Sequence, residues 1–78
     1  MPTVLRIKGY RFFFYSMEGR EPPHIHVEYA DFVAKFWLEP VRLASVFGFK
    51  DSELRRIRVI ILEYNKFFLE KWNAFFGN

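Results

Sequence analysis

The chain reads as an α+β domain, an antiparallel sheet of about four strands (a β-hairpin plus two further strands) with one long C-terminal helix packed on one face. Two patterns predict it. Through residues 1–40 apolar and polar residues alternate between glycine, proline and aspartate breaks, whereas from Asp51 the apolar residues recur at steps of three and four. With 78 residues there is room for one hydrophobic core. Residues 1–78 are therefore expected to form a single domain, mostly β over 1–40, a connector over 41–50 and a helix over 51–76.

The first hairpin sets Val4, Arg6 and Lys8 against Thr3, Leu5 and Ile7, turns at Gly9 and returns through Arg11-Phe12-Phe13-Phe14-Tyr15. Ser16 to Pro23 is polar, carries Gly19 and ends in Pro22-Pro23, which predicts a loop that becomes extended where it meets the prolines. His24 to Tyr29 form the third strand, Asp31 marks the reversal, and Phe32 to Leu38 form the fourth, which Pro40 ends. Val41 to Phe47 suit either a short fifth strand or a turn of helix, closed by Gly48.

In the helix, Leu54, Ile57, Ile61, Tyr64, Phe68, Trp72 and Phe75 make the stripe that faces the sheet. Asp51 and Glu53 sit at its positive end, where the macrodipole favours acids, and Gly77 ends it. Arg55, Arg56, Glu63, Lys66, Glu70 and Asn73 form the solvated side. Ile60 and Phe67 on one flank, with Leu62, Leu69 and Phe76 on the other, widen the apolar arc beyond the ~100° that one surface helix needs. Either a strongly curved sheet wraps this helix, or a flank is kept for a second copy or another protein.

Composition excludes several function classes. Without cysteine there is no disulfide, thiolate zinc site or thiol nucleophile. The start lacks the charged leader and apolar stretch of a signal peptide, and no apolar run approaches a membrane span, so a cytoplasmic protein with no membrane contact is expected. Net charge is +3, compatible with nucleic acid, and the basic residues Arg6, Lys8, Arg11 and Arg20 gather in the first hairpin and its loop. Eleven Phe, four Tyr and two Trp are many rings for so small a domain to hide, which again suggests a partner.

The only two histidines, His24 and His26, follow Pro22-Pro23. On a strand both rings share one face, about 6.6 Å apart along the chain at ~3.3 Å per residue. Glu28 shares that face, but the outer pair of His24, His26 and Glu28 is separated by about 13 Å, so one ion reaches two neighbours and not all three. No metal or other cofactor is therefore assigned, and a metal site, if present, would draw on these three residues. Alternatively the two imidazoles act as general base and acid on RNA, with Lys8, Arg11 and Arg20 holding phosphate. The plainest reading makes them half-exposed sheet residues hydrogen-bonded to neighbours.

Over nearly its whole length the chain resembles the small bacterial proteins of domain of unknown function 4160. The resemblance rests on Met1-Pro2-Thr3-Val4, Gly9-Tyr10-Arg11-Phe12-Phe13-Phe14-Tyr15-Ser16, Glu21-Pro22-Pro23-His24-Ile25-His26-Val27, Ala34-Lys35-Phe36-Trp37-Leu38-Glu39-Pro40 and Gly48-Phe49. One departure is Lys50, where the Ser of a Ser-x-x-Glu capping box ending at Glu53 would stand. The resemblance implies one half of a two-gene, toxin–antitoxin-like module whose partner protein is encoded by the adjacent gene. It thus implies an interaction component with nucleic-acid contact, binding its partner or a second copy through Ile60, Phe67, Leu62, Leu69 and Phe76. The alternatives are a small metal-independent RNase-like enzyme using His24 and His26, and a structural or metal-binding domain.

Overall fold

The computed structural model describes residues 3–77; Met1, Pro2 and Asn78, the ends of the expected 1–78 domain, lie outside the described residues. Five antiparallel strands cross one sheet in chain order: β1 (Thr3–Ile7), β2 (Tyr10–Phe13), β3 (His24–Tyr29), β4 (Phe32–Leu38) and β5 (Val41–Phe47). Two helices follow, α1 (Asp51–Glu63) and α2 (Asn65–Phe76). Each strand pairs with the next through a short reversal, except β2 and β3, which the loop 14–23 separates. The first reversal is Lys8-Gly9, both with positive φ (53° and 87°), the geometry that matches a two-residue hairpin turn to strand twist.

Val41–Phe47, expected within a connector, is instead a full edge strand. Val41 lies opposite Leu38 and Leu43 opposite Phe36, so the segment extends an existing apolar ladder. A bulge between Lys35 and Phe36 absorbs the extra residue on β5. The single long helix is also corrected to two. A straight helix over 51–76 would run about 39 Å at 1.5 Å per residue. The longest extent of the molecule is 34 Å. Backbone angles at Tyr64 of φ −103° and ψ 15° break the rod, and the Asn65 side-chain amide donates to the Leu38 carbonyl at 2.9 Å, tying the junction to β4.

The break changes which residues face inward. Ile57, Ile61, Phe68 and Trp72 are buried as the stripe predicts, but Phe75 turns out to solvent while Phe76 packs against Trp72 with ring centroids 4.1 Å apart. Facing them across the core are Phe12, Ile25, Val27, Phe36 and Leu38. No helix among the described residues is long and apolar enough to cross a membrane.

Candidate functional site

Strand β3 is held in the middle of the sheet, with His26 paired to Phe13 on β2 and Lys35 on β4, and His24 paired to Trp37. This register fixes both imidazoles on one face, ring centroids 5.2 Å apart. Aromatic side chains wall them in. Phe13 stacks on His26 at 5.5 Å and Tyr15 meets its edge at 4.6 Å, while Trp37 (5.6 Å) and Trp72 of α2 (4.8 Å) bracket His24. His24 is fully buried, and 14% of the His26 side chain is exposed.

The third member of the cluster is Glu18, not Glu28. The loop 14–23 folds back over the end of the sheet, secured by the Leu38 N–H donating to the Pro23 carbonyl at 3.0 Å and by Lys35 paired with Glu21. It delivers the Glu18 carboxylate between the rings. His26 Nε2–H donates to Glu18 Oε1 at 2.8 Å and Oε2 at 3.0 Å, and His24 Nε2 stands 2.9 Å from Oε1. The His24 approach is short in distance but is misdirected for a hydrogen bond, leaving Nε2 a buried nitrogen with no hydrogen-bond partner among the described residues. On its other side His24 Nδ1–H donates to the Pro22 carbonyl at 2.9 Å. Glu28 lies further along β3 and is taken up by Arg11.

Burial works against the Glu18 charge, yet the hydrogen bond from His26 and the proximity of both imidazoles outweigh it and hold the carboxyl below its ordinary value of 4.5. Burial is also the main influence on His26, and with the neighbouring His24 and Lys35 it carries the ring below its ordinary 6.5 despite Glu18. Both folded-state values are depressed, so both groups contribute stability at neutral pH that acid removes. The melting temperature is expected to fall as pH drops below about 6.5, and again below about 4.5, with Glu18→Gln abolishing the second decline. A thermal scan across pH 7.5 to 3.5 measures this, and a flat profile would contradict it.

An acid–base pair acting on RNA needs both rings at a surface, and here only His26 reaches solvent. Of the cations expected to hold phosphate, Arg11 is engaged by Glu28, by Thr3 Oγ1 at 2.8 Å and by the face of Phe13 at 4.3 Å. Lys8 and Arg20 are exposed, one in the first hairpin turn and one in the loop. On the helices, Ile60 belongs to the core and Phe67, Leu69 and Phe76 pack partly against it. Leu62 remains exposed.

A second region is formed by β5 and α1. Along β5 every residue from Arg42 to Phe47 is exposed, and Leu43, Val46 and Phe47 keep 43%, 44% and 69% of their surface. Between the strand and α1 runs an open cleft of about 330 Å³. Its floor is Phe36 and Val41, its apolar walls are Leu43 and Leu54, and Arg42, Arg55 and Arg58 line it against one acid, Asp51. The alternation of β5 gave no sign of this, because exposure here follows from its place at the sheet edge. Glu18 was equally hidden, a polar residue in a polar loop eight positions before His26.

Residues 9–73 match the model of a family described as domain of unknown function (DUF4160). No curated protein and no solved structure matches the chain.

Proposed function

Since the chain belongs to the DUF4160 family, with the match spanning most of its length, we propose that it is the interaction component of a toxin–antitoxin-like pair. Its partner is the protein encoded by the adjacent gene, bound in the β5–α1 cleft. The observation that carries this reading is the edge strand β5. It presents six consecutive exposed residues, three of them large and apolar, and among the described residues no other strand pairs with its outer edge. Soluble domains usually blunt such an edge with charge, proline or a covering element, because it recruits other strands. An edge left apolar is suited to adding a partner's strand, with backbone hydrogen bonds giving affinity and the side-chain clefts giving selectivity.

The charge around the cleft narrows the partner's chemistry. Arg42, Arg55 and Arg58 outnumber Asp51, so the occupant is an extended segment that alternates apolar and acidic residues. Apolar walls and an open strand edge favour such a peptide over nucleic acid, which would meet Leu43 and Leu54 while the one ring among the cleft residues, Phe36 in its floor, is buried and offers no face for base stacking. The proposed contact therefore lies on β5 and the first helical turns in preference to the helix flanks, where Ile60 is in the core and Phe67, Leu69 and Phe76 pack partly against it.

Coexpression with the adjacent gene product, followed by copurification and titration, tests it. Leu43→Glu, or Arg55→Glu with Arg58→Glu, is expected to weaken the complex at least tenfold while the lone chain melts as before, since all three residues are exposed. A chain that stays monomeric and ignores its neighbour overturns the reading. So does salt-dependent RNA binding that survives Leu43→Glu but is lost when Lys8 and Arg20 are replaced.

A further inference from the structure

We infer that Glu18, His24 and His26 form a binding site for one divalent first-row transition-metal ion, with zinc(II) as the fitting probe. Each residue offers a donor atom, and the three donors lie within 4.8 Å of one another. Two nitrogens and a carboxylate oxygen are a donor set that such ions take up, and with no cysteine in the chain no thiolate competes.

The strongest sign is at His24. Its Nδ1–H donates to the Pro22 carbonyl, an acceptor only, so in the neutral ring Nε2 carries a lone pair. That lone pair is fully buried, has no hydrogen-bond partner among the described residues and stands 2.9 Å from Glu18 Oε1, which is also an acceptor. Two acceptors at that distance, one of them fully buried, repel each other unless something positive lies between them. A proton or a metal ion would resolve the contact, and the second histidine beside it selects the ion. The Pro22 carbonyl is the kind of outer partner that fixes the tautomer and aim of a metal-bound imidazole. Pro22-Pro23, which hold that carbonyl in place ahead of β3, thereby gain a role beyond strand entry.

Adjustment is required, because the donors, which lie within 4.8 Å of one another, must close around the ion. An ion about 2.0–2.2 Å from each donor sets tetrahedral donor separations of roughly 3.4 Å. Glu18 Oε1, now 2.8 Å and 2.9 Å from the two nitrogens, must retreat by about half an ångström, and it sits on a loop able to do so. His26 passes its Nε2 proton to Nδ1 and stays neutral. The aromatic walls hold both rings, and the partial exposure of Glu18 and His26 leaves one side open for a water or a further ligand in the fourth position.

The two tryptophans of the chain, Trp37 and Trp72, both flank His24. Untagged full-length protein, stripped with EDTA, is titrated with zinc(II) by calorimetry and with cobalt(II) by absorption and tryptophan fluorescence. Expected are 1:1 binding, a rise in melting temperature, cobalt d–d bands and quenching of the tryptophans. Glu18→Gln, a loop substitution that leaves the core intact, is expected to weaken zinc at least tenfold, as is His26→Gln. His24→Gln tests the buried ligand, and should it fail to fold the other two variants still decide. Absence of saturable binding, or binding and quenching unchanged by Glu18→Gln and His26→Gln, overturns the site and assigns the contact to a proton.

Discussion

Replacing Phe12 with alanine is expected to cost about 3–5 kcal/mol, the range for emptying a buried aromatic site. Phe12 lies on interior strand β2 with no exposed surface, its ring centroid 5.3 Å from that of Phe68 on α2. It is thus the point at which the sheet meets the second helix, and truncation removes apolar contact from both while leaving a void that neither a paired strand nor an anchored helix can close. Domains as a class are stable by about 5–15 kcal/mol, and a small one has less apolar area to draw on. The variant is therefore expected to be largely unfolded at physiological temperature. Urea unfolding should show a lower midpoint at an unchanged slope, and a loss under about 1 kcal/mol would mean that Phe12 is not central to the core.

The second large effect is expected at Gly48, between β5 and α1. Its φ of +96° belongs to glycine, and an added Cβ would lie 2.2 Å from Phe32 Cδ1. Gly48→Ala therefore combines backbone strain of about 1–3 kcal/mol with displacement of the Phe32 ring. That ring packs edge-on against Phe49 at 5.6 Å, so its movement loosens the start of α1 as well. Gly77→Ala is the internal control. Its φ is +79° but nothing lies within 4 Å of the added atom, so it reports strain without collision. The melting temperature should fall further for Gly48→Ala than for Gly77→Ala, and equal losses would show that Phe32 gives way freely. Because Gly48 sets the angle between β5 and α1, the same substitution is expected to weaken capture of the partner segment.

Much of the fold was legible because its signals are local. Gly9 and the two-residue turn, the alternation of β3 and β4, and the stripe from Leu54 to Trp72 each express a backbone preference that neighbouring residues supply. Val41–Phe47 was ambiguous since its side chains carry little information of their own. Pairing with β4 decides it, and pairing is a long-range event. The break at Tyr64 was illegible for a related reason. Nothing in the residues around Tyr64 stops a helix, and the contact that ties the junction down, from the Asn65 amide to the Leu38 carbonyl on β4, is long-range.

By itself the sequence determined an α+β domain with one core, a proline-led histidine strand and membership in a family named for its lack of a known function. It also placed both imidazoles on one face, because the period of a strand requires it. Only the tertiary structure decided what joins them. A loop closed by Glu21–Lys35 and Pro23–Leu38 brings Glu18 to within 3 Å of both rings, while Glu28, the carboxylate nearer in strand register, is captured by Arg11. Loop closure depends on contacts far apart along the chain, and strand spacing can read neither the carboxylate it delivers nor the buried nitrogen it leaves without a hydrogen bond.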